Sequence, residues 1–173
     1  KMSYAEGTAG SVTHLAMALF AKRAGLDMTN VSYRGNAPAM NDVIAGHLKT
    51  MFSNVSDALP HAASGAIRML AVSTAKRDAQ APNVPTVAES GFPGFNVVTW
   101  NGLVAPANTP REIVDKVAGE IARAVKEPQF AGRLKAAGAD PLGNTPDEFA
   151  ALIKTDTAIW ADAVAVTGLN KSQ

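Results

Sequence analysis

The chain has 173 residues, 47% of them hydrophobic and 18% charged, a globular composition long enough to bury a core without staples. Sixteen Lys and Arg against fifteen Asp and Glu leave a net charge of +1, without the basic excess of a general nucleic-acid binder. Cysteine is absent, which removes disulfides, thiol catalysis and cysteine-ligated zinc while leaving the compartment open.

Apolar runs such as 15–21 stop far short of the ~20 residues that span a bilayer. The first ten residues carry no basic segment followed by an apolar stretch. Met2-Ser3-Tyr4 reads as strand with no lead-in, so the chain is read as a piece of something longer.

Up to about residue 100 the pattern alternates short β-like runs with helical ones, as βαβ units on a parallel sheet do. Residues 2–5 read as strand and are followed by a glycine-rich turn. A helix over 11–24 follows, with Val12, Leu15, Leu19 and Phe20 on one face and Gly25 as its stop. Residues 31–33 read as a short strand. The next helix covers 38–48, with Asn36 near its cap and Met40, Val43, Ile44 and Leu48 as its buried stripe. Residues 50–52 read as strand, and Pro60 should end or bend a short helix over 56–63. The apolar run 67–72 reads as a central strand, 75–85 as loop, and 97–104 as the last β-like stretch.

The rest is helical. Thr109-Pro110-Arg111-Glu112 and Thr145-Pro146-Asp147-Glu148 are both capping-box signatures. The first opens a helix through Ile113, Val117, Ile121 and Val125. Phe130 and Leu134 mark a shorter helix ended by Gly138. The second signature opens a helix of about twenty residues lined by Phe149, Leu152, Ile153, Trp160 and Val164, closing near Gly168.

The chemically informative segment is Glu6-Gly7-Thr8-Ala9-Gly10-Ser11, between a strand and a helix. Small residues let a ligand reach the backbone, and the first N–H groups of a helix lack internal partners. With the helix dipole and the hydroxyls of Thr8, Ser11 and Thr13, they form an anion site; steric demands of the turn alone also explain such glycines. The segment matches neither the dinucleotide fingerprint nor the P-loop. His14, His47 and His61 share no metal-ligand spacing, and only His14 stands beside the loop. Trp160 reads as core, whereas Trp100 could face core or cleft. No catalytic constellation emerges, and neither cofactor nor metal is implied.

Lys1-Met2-Ser3-Tyr4-Ala5, the glycine-rich turn and His14-Leu15-Ala16 resemble the second-lobe ligand loop of a periplasmic family. That family is the substrate-binding proteins of tripartite tricarboxylate transporters. Tyr33-Arg34-Gly35, Met51-Phe52-Ser53-Asn54, Leu70-Ala71-Val72-Ser73, the string 84–91 and Trp100-Asn101-Gly102-Leu103 follow in the family's order. The resemblance implies an α/β, type II periplasmic-binding-protein-like fold with a parallel or mixed sheet lobe and flanking helices. It places residues 1–98 in the second, ligand-loop lobe. Residues 99–173 would be a crossover strand and C-terminal helices completing the first lobe. A signal peptide and the early first lobe would precede Lys1.

The implied function is a non-enzymatic, periplasmic solute receptor. It would close on a small organic carboxylate in an interlobe cleft and deliver it to membrane permease subunits, without binding nucleic acid or inserting in the membrane. The implied ligand contacts are Glu6, Gly7, Thr8, Ala9, Gly10, Ser11, Tyr33, Arg34 and Ser53. Glu6 departs from the family, where a serine or other small residue is usual, and Thr8 stands where glycine is usual. Ser53 stands where Asp is frequent. Because a carboxylate aimed at the ligand would repel it, and most glutamates are exposed, Glu6 is expected to turn outward to solvent, the alternative being that it accepts hydrogen bonds from an amine, amide or hydroxyl of the ligand. An α/β enzyme or a solute-sensing domain using the same loop are the alternatives.

Overall fold

The computed structural model describes residues 2–167. They separate into two compact units, one of residues 2–99 with 160–167 and one of residues 100–159.

The first unit opens with a βαβ turn. Strand β1 (Met2–Glu6) leads to helix α1 (Val12–Arg23) and returns through β2 (Met28–Ser32), which pairs with β1 in parallel. The register sets Met2 against Met28 and Glu6 against Ser32. Ser11 caps α1, its Oγ accepting the His14 N–H at 3.3 Å. At the other end, Gly25 adopts φ +65° and the Leu26 N–H reaches back to the Ala21 carbonyl, the wrap that a left-handed glycine permits. Helix α2 (Asn36–Ile44) follows β2, and α3 (Val55–Ala63) follows a parallel bridge between Ala5 and Met51. Parallel neighbours put all three strand-to-helix turns at one edge, so the N-termini of α1, α2 and α3 lie at the carboxyl ends of the strands. Pro60 sits inside α3, three residues before its end.

The core of this unit joins Ala16 and Leu19 of α1 to Val87, Phe95 and Val97, with Phe20, Phe52, Phe92 and Trp160 packed around them. Phe20 meets Phe92 edge-on with centroids 5.1 Å apart, and Phe95 is the largest fully buried side chain. Trp160 is core, as its place on an apolar stripe predicts.

Two expected strands do not form. Residues 67–72 contribute only a single bridge, Val72 with Thr86, and Leu70 is 66% exposed. Residues 97–104 form no ladder: Val97 is buried and donates to the Ser73 carbonyl, but Leu103 and Val104 are exposed. Both runs have the side chains of a strand, but their backbones find no continuous partner among the described residues. A strand exists only as a pair. The helix expected over 38–48 starts earlier and ends at Ile44. The string 84–91 is a capping turn, with the Thr86 N–H on Glu89 Oε2 at 2.8 Å and the Glu89 N–H on Thr86 Oγ1 at 3.0 Å.

The second unit holds α4 (Arg111–Ala124), α5 (Pro128–Ala136) and most of α6 (Pro146–Thr167). Trp100 packs edge-on against Phe149 at 4.9 Å, and its indole N–H donates to Asp156 at 2.7 Å. Arg111 joins Asp115 and Asp147 at 2.8–3.1 Å. The capping box at Thr145 forms in both directions, but the one at Thr109 does not. There the extended Pro110 is the N-cap and α4 starts at Arg111, so Glu112 stands one position too early to reach back. Gly168, the expected stop of α6, lies outside the described residues.

Candidate functional site

The turn edge of the first unit carries an open pocket of about 310 Å³ lined by Thr8, Ser11, Val12, Thr13, Asn36 and Asn54. Each of the three helices contributes its first residues. Val12 and Thr13 open α1, Asn36 opens α2, and Asn54 is the N-cap of α3. The Ser11 N–H is used by the Thr8 carbonyl and the His14 N–H by Ser11 Oγ. That leaves the Val12 and Thr13 N–H groups, which no helix can satisfy internally, beside the Ser11 and Thr13 hydroxyls, which bond to each other at 3.0 Å, and the Thr8 hydroxyl, which donates to the Gly7 carbonyl at 2.6 Å. Three helix N-termini, with the free N–H groups of α1 among them, favour an anion with several acceptor oxygens.

The three turns are laced together. The Gly35 N–H donates to the Gly7 carbonyl at 2.5 Å and the Tyr33 N–H to the Glu6 carbonyl at 2.9 Å. Asp57, in the first turn of α3, accepts from Asn36 Nδ2 and Asn54 Nδ2, each at 3.2 Å. One carboxylate thus fixes the amide ends of two cavity residues from different loops.

Of the residues expected at the ligand, Thr8 and Ser11 line the cavity, and Gly7, Ala9 and Gly10 shape the loop around it. Gly10, at φ +77°, is in a conformation that side chains resist. Tyr33 is engaged elsewhere. Its hydroxyl donates to Asp42, raising the phenol above its ordinary value and, with His47, holding the Asp42 carboxyl below the usual carboxylate range. Arg34 is exposed next to Gly35 and is not among the residues lining this pocket. Ser53 directly precedes Asn54, and its Oγ is buried with no hydrogen-bond partner among the described residues. Asn36 and Asn54 were not on the expected list. Their signal was a polar amide at each helix start, and only the topology shows that both starts face one cavity.

Glu6 does not turn outward. It is 1% exposed, the second largest fully buried side chain. The register that pairs it with Ser32 lets the Ser32 hydroxyl donate to its Oε1, and Oε2 lies 3.0 Å from His14 Nδ1. The expectation failed because the strand register gives Oε1 a donor in the Ser32 hydroxyl and α1 sets the His14 ring beside Oε2, which itself has no hydrogen-bond partner among the described residues. Burial, with Glu6 close by, pushes the neighbouring Tyr4 phenol up to about 12.

A parallel βαβ lobe that brings several helix N-termini to one pocket is an α/β architecture that binds ligands at the carboxyl ends of its strands. The chain belongs to the tripartite tricarboxylate transporter receptor family, whose model matches residues 1–169. That is a family of receptors, not of enzymes. A Pseudomonas protein from the tcbD-tcbE intergenic region is 37% identical over 174 residues, covering all of this chain and 52% of that one. BugT of Bordetella pertussis is 32% identical, over 97% of this chain and 52% of its own length. This chain therefore spans about half the length of these relatives.

Among solved structures, an R. palustris protein with adipate has a TM-score of 0.84 at 32% identity, covering 97% of this chain and 56% of that one. MatC from Rhodopseudomonas palustris, with bound malate, has a TM-score of 0.76 at 30% identity, covering 94% and 56%. The periplasmic binding protein BugD has a TM-score of 0.79 at 31% identity, covering 96% and 56%. These neighbours place the α/β fold among periplasmic binding proteins. Among the described residues no helix is long and apolar enough to cross a membrane.

Proposed function

We propose that the protein is a periplasmic receptor that captures a small organic carboxylate and hands it to the permease of a tripartite tricarboxylate-type transporter. The observation that carries this reading is the convergence of the α1, α2 and α3 N-termini on one open pocket of about 310 Å³, lined by hydroxyls, amides and unclaimed N–H groups. One carboxylate group sits there, its oxygens taking the Val12 and Thr13 N–H groups and the one proton that the Ser11–Thr13 hydroxyl pair leaves over. Adipate and malate in two neighbours support the ligand class. On this reading residues 1–98 are the ligand-loop lobe, on whose core Trp160 also packs, and 99–173 supply the crossover segment and the helices of the other lobe. Capture works by hinge closure, and a signal peptide upstream of Lys1 directs export.

The test is thermal unfolding of the protein with mono-, di- and tricarboxylates, adipate and malate included, and with simple amines as controls. A carboxylate at one hundred times its Kd stabilises by about 2.7 kcal/mol. A folded protein whose midpoint no carboxylate raises is not this receptor.

A further inference from the structure

The two sides of the pocket differ in hydrogen-bonding character, and a side chain that does not line it sets the difference. Asn36 and Asn54 stand at the starts of α2 and α3, and both turn their Nδ2 groups to Asp57 Oδ2, at 3.2 Å each. A carboxylate oxygen has lone pairs for two donors and nothing to donate, so Asp57 fixes which end of each amide faces it. The amide oxygens are left for other partners. Asn36 Oδ1 lies against Gly7 of the β1–α1 turn. Among the described residues, neither amide oxygen nor Asp57 Oδ1 takes part in a hydrogen bond. The α1 side is the reverse, because its Val12 and Thr13 N–H groups and the spare proton of the Ser11–Thr13 pair are donors.

We infer that Asp57 determines specificity: by holding both amides with their donor ends turned to itself, it makes the pocket select a carboxylate that also carries a hydrogen-bond donor. That donor is a hydroxyl or an ammonium within a few bonds of the carboxylate, since one pocket of about 310 Å³ has to hold both groups. The ligand carboxylate takes the α1 donors, and the second group meets the oxygens of Asn36 and Asn54. A ligand without such a group strips water from these acceptors and leaves them unpaired. The lining holds no Lys or Arg, so a further ligand carboxylate gains no cation from it, whereas an ammonium gains the charge of Asp57. This inference rests on the receptor reading above.

Asp57 acts through the two asparagines and is in that sense a positioning residue. An acid in the first turn of α3 also stabilises that helix through its dipole. Capping alone has no use for Asn36, which belongs to another helix and bonds the same oxygen.

The experiment is calorimetry with malate, aspartate and succinate, which share one diacid chain and differ in carrying a hydroxyl, an ammonium or neither. Wild type should bind malate and aspartate each roughly tenfold more tightly than succinate. In Asp57→Ala the amides are free to turn, and both ratios should fall to within about twofold of unity, with succinate affinity held or raised. Asp57→Asn keeps an acceptor for the two amides, so the malate ratio survives while the aspartate ratio, which also draws on charge, falls. That variant decides if Asp57→Ala does not fold. By NMR of the ligand-free protein, the Nδ2 protons of Asn36 and Asn54 should exchange slowly in wild type and lose that protection in Asp57→Ala. Equal wild-type affinity for malate and succinate overturns the inference. So does an Asp57→Ala protein that binds all three ligands more weakly by one factor, as loss of a helix cap alone would produce. Side-chain protons that exchange alike in both proteins overturn it whether or not a ligand binds. If no carboxylate binds at all, the receptor reading falls and takes this inference with it.

Discussion

At Gly7 the first two turns of the cavity meet with no room for a side chain. A Cβ there would lie 2.3 Å from Asn36 Oδ1, 2.9 Å from the Asn36 nitrogen and 3.0 Å from the Gly35 carbonyl carbon. The amide oxygen could swing aside, but the other two atoms are backbone. Gly7→Ala therefore pushes the β2–α2 turn away, breaking the Gly35-to-Gly7 hydrogen bond and displacing Asn36 from the cavity wall. The expected cost is about 1–3 kcal/mol of stability, with carboxylate affinity reduced roughly tenfold. Gly119→Ala is the control: nothing lies within 4 Å of its Cβ position in α4, and it should stabilise by about 0.5–1 kcal/mol. Denaturant titration and calorimetry read both. If Gly7→Ala binds and unfolds like wild type, the turns are not locked at this point. Glu6 shows the limit of reading such residues singly. Its neighbours stand eight and twenty-six positions away: the turn from β1 into α1 brings His14 to it, and the β1–β2 register brings Ser32.

Helices and strands differed in how far their sequences declared them. Starts and stops of α1, α5 and α6 lie within a residue or two of expectation where described, because caps and the 3.6 period are local. The runs 67–72 and 97–104 were misjudged because apolar side chains reveal burial preference but not a pairing partner, which is non-local. The cavity was half legible for the same reason. Thr8 and Ser11 sit in one contiguous loop, whereas Asn36 and Asn54 join it only through parallel pairing. The capping boxes allow a test at this scale. Thr145 and Glu148 exchange hydrogen bonds at 2.8 and 3.2 Å at the start of α6. The Thr145 N–H, and then its side-chain contact, hold the Glu148 carboxyl below its ordinary value. A lowered folded-state value means that this contribution is present above the unfolded value and is lost as pH falls through the folded one. Amide exchange at Thr145 should therefore accelerate on acidification, beyond the intrinsic pH trend, in wild type but not in Glu148→Gln. Thr145→Ala should cost α6 about 1 kcal/mol, whereas Thr109→Ala, which breaks no cap, should cost little. Equal losses would mean that the Thr145 box contributes nothing.

For the molecule as a whole, burial is distributed unequally. Every buried residue among those described belongs to the unit of residues 2–99 and 160–167, and none lies between 100 and 159. Helices α4 and α5 have no buried residue at all, and Ile113, Val117 and Phe130 are each more than 40% exposed. Apolar burial stabilises by about 25 cal/mol per Å², so the second unit has less to hold its helices closed than the first, with Phe95, Leu19 and Val97 at its centre. Local opening free energies follow that difference. Hydrogen exchange followed by mass spectrometry should find α4 and α5 amides exchanging through openings of lower free energy than α1 amides, by at least about 2 kcal/mol. The cavity adds a second arm, because all its lining residues belong to the first unit. A carboxylate at one hundred times its Kd should slow exchange in α1 and in the turns preceding α2 and α3 by up to about one-hundredfold. In the same sample α4 and α5 should change far less. Protection that rises equally in every helix would show that the two units open as one body, and that their unequal burial does not divide the molecule's stability.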